Sequence, residues 1–243
     1  MILKRLFDTF YANRLIVFMT SNRPPDDLYL NGLQRDLFLP FIDDLKLNCE
    51  VVNLSSIDYR LLHSMGMDSY YYPGSHNNNN TEKEVDKMWD KLTNNAIGKY
   101  MSVEVAQGRT IPCQKQAKNV AQFTFKELCE SNRGSTDYMA IAETFQTIII
   151  RGIPQLSMER RDFLRRFISL IDSLYYNHCN VVCEAAVSIE NLFAISQAES
   201  EGIHDEAFAY TRCLSRLKEM QTDEYQQKTL QTFSKKKEQA KAV

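Results

Sequence analysis

Glycine is scarce in this chain, with eight among 243 residues. Loops that wrap their backbone around phosphate groups depend on glycine, so the sequence has room for few of them. The common phosphate loop has the spacing G-x-x-x-x-G-K-[S/T]. The chain's Gly-Lys pair is Gly98-Lys99, but Thr93 occupies the position of the first glycine. The sequence therefore contains no phosphate loop of this type.

An excess of charge of either sign is also missing. Lys and Arg together number 29 and Asp and Glu number 31, which gives a net charge of -2. This balance offers no electrostatic argument for binding nucleic acid or an acidic membrane surface. Basic and aromatic residues form no combined platform for single strands, and no apolar run approaches the ~20 residues of a membrane-spanning helix. We expect no nucleic-acid partner and no membrane span.

Paired cysteine motifs are absent as well. Six cysteines occur without a C-x-x-C pair, and the closest two are Cys179 and Cys183. His178 adjoins Cys179, but no second pair of metal-ligand residues accompanies them. Because the chain is neither short nor dense in cysteine, the pattern indicates reduced thiols in a reducing compartment. We expect no metal site.

Apolar segments alternate between helical and strand character. Residues 2–12 carry apolar side chains at helical spacing, and residues 15–20 form a largely apolar run that predicts a buried strand. Further predicted strands are 49–54, 145–150 and 181–187, the last two separated by a long amphipathic helix that Ser157 can cap. Strands that are apolar throughout and alternate with helices are typical of an α/β fold whose parallel sheet is covered on both faces.

The middle of the chain differs in composition. Residues 61–143 include the polar run Asn77–Asn80, a predicted helix at 82–92 and a polar, basic stretch at 107–119 that we predict to be a loop. We interpret this segment as an insert at the periphery of the core. The predicted divisions of the chain are 1–60, the insert 61–143, a second βαβ unit at 144–204, a C-terminal helix at 205–225 and a charged, disordered tail at 226–243.

A polar motif follows the first predicted strand. Thr20-Ser21-Asn22-Arg23-Pro24-Pro25 places the Asn22 amide at the carboxyl end of that strand, and the prolines stop regular structure there. Ligands of open α/β sheets bind at this edge. An asparagine that simply opens a proline-rich turn gives the same pattern. The motif is therefore a candidate for half of a nucleotide site.

Five blocks in a fixed order carry a family resemblance. They are Thr20–Pro25 with Leu28-Tyr29, Gly32–Ile42, Asp58–Arg60, Arg165–Tyr175 and Ser215–Gln221. Together they resemble the ATPase family gene one-like proteins, which are mitochondrial AAA-type ATPases in eukaryotes with a cell-division ATPase as bacterial relative. The likeness extends from Met1 to about Tyr225, and the order and spacing of the blocks are more specific than any block alone.

Members of this family begin with a Walker A phosphate loop and a Walker B acidic strand, and neither motif is present here. The resemblance therefore implies an N-terminally truncated, AAA+-like P-loop core with a parallel sheet, in which residues 1–60 are the C-terminal half of the ATPase core. It implies ATP with magnesium as cofactor and ATP hydrolysis coupled to protein remodelling or turnover. It also implies a homo-oligomer, mitochondrial localisation and mitochondrial protein substrates. We expect this chain alone to be inactive as an ATPase.

The missing phosphate loop leaves a second interpretation open. Without that loop, the chain lacks the backbone N–H donors and the lysine that hold nucleotide phosphates. The chain would then be a truncated, non-hydrolysing module that binds or regulates full-length partners.

The resemblance gives catalytic roles to two residues of the N-terminal part. Asn22 matches the sensor-one residue, whose amide would orient the attacking water near the γ-phosphate. Arg35 matches the arginine finger, which presents a permanent positive charge to a neighbouring subunit's nucleotide and contributes ~10³–10⁵ in rate in well-studied cases. A surface ion pair with Asp36 or Asp43 is the alternative for Arg35, and Arg23 is a weaker candidate for the finger.

Arg216 is the candidate for the sensor-two cation, together with Arg212 one helical turn earlier. Residues four apart share a helix face, so both guanidinium groups could point at one phosphate. Salt bridges to Glu219 or Glu206 are the alternative explanation. The resemblance thus implies that these two arginines bind the nucleotide.

Overall fold

The chain folds into two compact units, Met1–Ile57 and Asp58–Val243. The computed structural model describes residues 2–21, 23–30, 32–52, 70–74, 79–105, 108–194 and 204–241. Each unit has a hydrophobic core of its own, and the larger cores belong to the second unit.

The first unit is a small helical assembly. Its core joins Phe7 to Phe41 and Leu45, and the rings of Phe7 and Phe41 meet edge to face with their centroids 5.1 Å apart. Its described elements are α1 (Ile2–Ala12), 3-10 turns at Pro25–Asp27 and Arg35–Leu37, and α2 (Leu39–Asn48).

The strand predicted at 15–20 is not formed. These residues have no regular secondary structure, and the side chains of Ile16 and Phe18 are 84% and 93% exposed. A strand needs a neighbouring backbone edge for its hydrogen bonds, and the described residues of the first unit contain no other strand. The prediction of a strand at 49–54 is wrong for the described part, 49–52, for the same reason.

The second unit is built on a six-stranded sheet. The sheet strands are β1 (Tyr71–Pro73), β2 (Lys99–Val105), β3 (Arg109–Ala117), β4 (Val120–Thr124), β5 (Thr147–Ile153) and β7 (Asn180–Ala185). They lie in the order β1-β7-β5-β4-β3-β2. β1, β7, β5 and β4 run parallel, whereas β3 is antiparallel to both β4 and β2. A separate parallel pair joins β6 (Leu156–Ser157) to β8 (Phe193–Ala194).

Helices cover both faces of this sheet. They are α3 (Asn79–Thr93), α4 (Ser135–Thr144), α5 (Arg161–Tyr176), α6 (His204–Glu219) and α7 (Asp223–Lys241), with short turns at Lys126–Glu130, Met158–Arg160 and Ile189–Asn191. Ile149 of β5 packs with Trp89 of α3 on one face, whereas Ile148 and Ile150 pack with Phe167 of α5 on the other. Both faces of β5 are thus buried, which explains why its run Ile148–Ile150 is apolar without alternation.

The predicted α/β fold with a mostly parallel sheet is confirmed. The run predicted as a strand at 145–150 lies largely within β5, and the run at 181–187 overlaps β7. These two strands pair in parallel, and the amphipathic helix α5 connects them, as expected for a βαβ unit. The helix predicted at 82–92 lies within α3.

Two local predictions are wrong. The stretch at 107–119, predicted to be a loop, contains β3. Ile111 and Cys113 are buried and Pro112 between them is exposed, which is the period-two pattern of a strand. The stretch at 226–243, predicted to be a disordered tail, is helical in α7 as far as residue 241. Thr229 anchors that helix, since its side chain is fully buried. Residues 61–143, interpreted as a peripheral insert, contribute β1 to β4 to the sheet.

Candidate functional site

The two arginines predicted for nucleotide binding meet at one carboxylate. Arg212 and Arg216 lie one turn apart on α6, and both donate to Asp172 on α5. Arg212 Nη2 lies 3.0 Å from Asp172 Oδ2, and Arg216 Nη1 pairs with the other oxygen, Oδ1. We call these three residues the arginine cluster. The shared helix face predicted from the spacing is present, but the partner is Asp172 rather than Glu219.

Two tyrosines hold the cluster against the end of α5. The Arg216 guanidinium lies over the Tyr175 ring, 5.0 Å from its centroid. The Tyr175 hydroxyl donates to Glu219 Oε2 at 2.7 Å, so Glu219 is engaged with the tyrosine. Tyr225 stacks on Tyr175 with centroids 5.6 Å apart and donates its hydroxyl to the carbonyl of Cys179 at 3.2 Å. Arg216 is therefore oriented from two sides, by an ion pair and by an aromatic face.

The amphipathic character of α6 keeps the cluster at the surface. Cys213 lies between the arginines in sequence but faces inward and is fully buried, and this burial raises the pKa of its thiol well above the ordinary value. The arginine side chains are 44% exposed for Arg212 and 24% for Arg216, and that of Asp172 is 29% exposed. Two positive charges thus face one partly solvated negative charge. The three side chains together carry one excess positive charge and are partly exposed, while the nearby Glu219 carboxylate accepts from the Tyr175 hydroxyl.

Arg35 belongs to the first unit. Its Nη2 donates to the backbone carbonyl of Asp26, and it makes no ion pair with Asp36 or Asp43 within the described part of that unit. Arg35 Nε is buried and has no hydrogen-bond partner among the described residues. The surface ion pair considered for this arginine is therefore not formed, and the guanidinium retains an unused donor.

Two segments singled out in the sequence lie outside the described residues. Asn22, the candidate for sensor one, is one of them, and Asp58-Tyr59-Arg60 is the other. The roles of both remain predictions.

A second polar cluster, not predicted from the sequence, lies at the carboxyl edge of the parallel strands. Arg151 Nε on β5 donates to Glu184 Oε2 on β7 at 2.6 Å. Its Nη1 donates to Asp86 Oδ1 at 3.1 Å, and its Nη2 donates to the backbone carbonyl of Glu82 at 3.0 Å, both on α3. Glu184 is 5% exposed, so its negative charge is buried and is compensated by Arg151. Because every nitrogen of the Arg151 guanidinium is engaged, the arginine clamps α3 to the sheet.

The sequence contained one indication of this clamp, namely charged residues at or within apolar runs. Arg151 ends the run Ile148–Ile150, and Glu184 interrupts the run Val181–Ala185. A charge within a strand that is buried on both faces requires a partner. Asp172 gave a weaker signal, since its carboxylate lies on the polar side of an ordinary amphipathic helix.

Metal and membrane sites are not found in the described chain. Among those residues, no group of three or more His, Cys, Asp or Glu side chains is arranged to hold a metal ion. None of the helices formed by them is both long and apolar enough to cross a membrane.

Comparison of the sequence with known proteins shows which family the chain belongs to. A sequence model of the AFG1-like ATPases matches residues 1–229. The chain belongs to the AFG1-like ATPase family. The resemblance inferred from the five blocks is thereby confirmed, and ATP hydrolysis is the type of activity that this family name denotes.

Three curated relatives show how much of their own length the chain covers. The chain is 36% identical to lactation elevated protein 1 homolog B of Danio rerio over 93% of this chain and 50% of that protein. It is 33% identical to an uncharacterized protein of Schizosaccharomyces pombe, over 90% of this chain and 53% of that protein. Cell division protein ZapE of Escherichia coli is 31% identical, over 93% of this chain and 57% of ZapE. The chain thus spans about half the length of the curated relatives it matches. No solved structure matches it.

Proposed function

We propose that this chain is part of an ATP-binding, ATP-hydrolysing AFG1-like ATPase that acts in the remodelling or turnover of mitochondrial proteins. The arginine cluster is the observation that carries the proposal. Two guanidinium groups share one carboxylate at a partly exposed position, and the net positive charge suits a nucleotide phosphate.

In this proposal, phosphate oxygens replace Asp172 as the partner of Arg212 and Arg216. Partly exposed ion pairs contribute only about 0–1 kcal/mol, so exchanging one anion for another costs little. The Tyr175 ring keeps the Arg216 guanidinium in place while the carboxylate is exchanged. Asp172 acts as a positioning residue that holds both arginines ready.

The proposed catalytic residues belong to the first unit. Asn22 acts as sensor one, and Arg35 acts as a finger that reaches the nucleotide of a neighbouring subunit, which implies a homo-oligomer. Arg35 forms no ion pair with Asp36 or Asp43 within the described residues, so neither carboxylate neutralises its charge, and this supports the role. ATP is bound with magnesium, which neutralises charge on the phosphates.

Nucleotide binding by the chain alone tests the proposal. Its sequence contains no phosphate loop, so we expect weak binding that does not saturate at micromolar concentrations of a fluorescent ATP analogue. The double variant Arg212→Met/Arg216→Met keeps the apolar stems and should weaken the residual binding further. Arg160→Met, which removes an exposed arginine elsewhere in the second unit, should leave it unchanged. Micromolar affinity would contradict the expected weakness, and equal binding by the double variant would contradict the role of the cluster.

The missing phosphate loop favours a second function, a non-hydrolysing module that binds or regulates full-length AFG1-like subunits. The two functions differ in what Arg35 does in a mixed assembly. The test adds the chain to full-length subunits and compares their ATPase rate with that produced by Arg35→Ala and by the control Arg5→Ala. If Arg35 donates a finger, only Arg35→Ala loses the effect on the rate. If all three chains act alike, the regulatory module is supported instead.

A further inference from the structure

A cavity of about 230 Å³ lies at the amino edge of the parallel strands of the second unit. Thr147 and Asn180 reach it from the first residues of β5 and β7, and Gln226 reaches it from α7. The Arg151 clamp lies at the other end of β5. The cavity is therefore at the edge opposite to the one where open α/β sheets bind their usual ligands.

Two side-chain amides in this cavity each have one buried atom without a hydrogen-bond partner within the described chain. Asn180 is 6% exposed, and its Oδ1 atom is buried without a hydrogen bond. Gln226 Nε2 is likewise buried without one. An unsatisfied buried donor or acceptor costs about 1–3 kcal/mol, and two in one small cavity call for a polar occupant.

The rest of the lining limits what that occupant is. Leu92, Val120 and Leu230 supply apolar surface, and the side chains of Thr147, Asn180 and Gln226 are uncharged. Lys118 also lines the cavity, but this residue is exposed to solvent. An anion inside the cavity would therefore find acceptors as well as donors, and no buried cation of the lining would neutralise it. The cavity offers one amide acceptor, Asn180 Oδ1, and one amide donor, Gln226 Nε2. A ligand group that carries both a donor and an acceptor can bond to both.

We propose that this cavity binds a small, uncharged molecule with a carboxamide group attached to an apolar body. The carboxamide N–H donates to Asn180 Oδ1, and its carbonyl accepts from Gln226 Nε2. The apolar body packs against Leu92, Val120 and Leu230. The volume admits a small molecule and excludes the several residues of a peptide chain. The binding is independent of the arginine cluster.

Benzamide is the probe that tests this site, because it joins a primary amide to a flat apolar ring. Titrated into the isotope-labelled 243-residue chain, it should shift the side-chain amide resonances of Asn180 and Gln226 in a saturable way. Benzoate has the same shape but carries a charge and lacks the N–H donors, so it should not produce these shifts. Asn180→Leu and Gln226→Leu should each weaken benzamide binding about tenfold, the effect of one lost hydrogen bond.

Matched variants keep the test decisive. Gln114→Leu removes an exposed amide of β3 that does not line the cavity, and it should bind benzamide like the unchanged chain. Gln226→Leu replaces a helical residue with a better helix former, so it reports on the site even if Asn180→Leu fails to fold. Equal shifts with benzoate, equal affinity in the Gln226→Leu variant or an absence of saturable shifts would each overturn the proposal. An absence of saturable shifts would mean that the cavity holds only water.

Discussion

At the scale of single residues, the buried negative charge of Glu184 depends on one partner, Arg151, for compensation. It is almost fully buried, and Arg151 Nε lies 2.6 Å from its carboxylate. Removing one member of a buried ion pair leaves the other charge without compensation in a medium of low polarity. The pair joins the ends of β5 and β7, so this cost falls on the centre of the sheet.

Arg151→Met is expected to lower the free energy of unfolding by about 3–5 kcal/mol, because it keeps the side-chain volume but leaves Glu184 unpaired. Urea unfolding followed by circular dichroism measures this change. The control Asp86→Asn alters the exposed partner of the same arginine and should cost less than about 1 kcal/mol. Adding Glu184→Leu to Arg151→Met should restore much of the loss. Equal effects of the two single changes would show that burial of Glu184 does not set the cost.

The arginine cluster shows which part of a site is readable from the sequence. A separation of four residues was enough to predict that Arg212 and Arg216 share a face, because that relation is internal to one helix. Their partner Asp172 lies 40 residues before Arg212 and reaches the cluster only through the packing of α5 against α6. No local pattern carries that information. The nucleotide-binding role of the two arginines stays a prediction.

At the scale of elements, α7 is held to the second unit by Tyr225. The Tyr225 hydroxyl donates to the carbonyls of Tyr175 at 3.3 Å and Cys179 at 3.2 Å, where α5 ends and the chain turns into β7. Burial raises the pKa of this hydroxyl well above the ordinary value, so it remains a donor at neutral pH. These bonds join the start of α7 to the connection between two core elements.

Tyr225→Phe removes this donor from both carbonyls, of which that of Tyr175 still accepts the His178 N–H, so we expect a loss of about 1–2 kcal/mol in the free energy of unfolding. Tyr176→Phe is the matched control, since Tyr176 is 82% exposed and should tolerate the change within about 0.5 kcal/mol. Thermal and chemical denaturation of the two variants provide the comparison. A neutral Tyr225→Phe would mean that the hydroxyl does not hold α7.

The elements also show why sequence patterns succeeded in one place and failed in another. β5 and β7 were predicted because strands buried on both faces carry continuous apolar runs, here Ile148–Ile150 and Val181–Cys183. β3 was missed because its alternating pattern is weakened by polar residues, among them Gln114 and Lys115. The run at 15–20 has strand composition but no neighbouring strand among the described residues of its unit, and pairing decides the outcome in that case.

At the scale of the whole molecule, the two units differ in how much apolar surface they bury. Phe7, Phe41 and Leu45 form the core cluster of the first unit, while the second unit buries large aromatic and aliphatic side chains on both faces of its sheet. Small cores give little stability. Residues such as Phe18 and Ile16 add exposed apolar surface to the first unit.

Backbone amides of β5 and β7 are therefore expected to exchange hydrogen at least roughly a hundredfold more slowly than those of α1, a difference of about 2.7 kcal/mol in opening free energy. Exchange measured by mass spectrometry on the full chain resolves both segments. Helix α3, which is buried on one face and exposed on the other, serves as an internal reference within the second unit and should exchange at an intermediate rate. Equal protection of α1 and β5 would show that the chain opens as one cooperative unit.

The pairing of β1 with a later strand determines when the sheet can be completed during synthesis of the chain. β1 pairs with β7, and the Tyr71 hydroxyl donates to the Val187 carbonyl, 116 residues later in the sequence. A ribosome that adds ~5–20 residues per second needs roughly 6–20 s to make the intervening chain. During that interval β1 has been translated but its partner has not. The edge of the sheet is therefore among the last parts of the molecule that a nascent chain can complete.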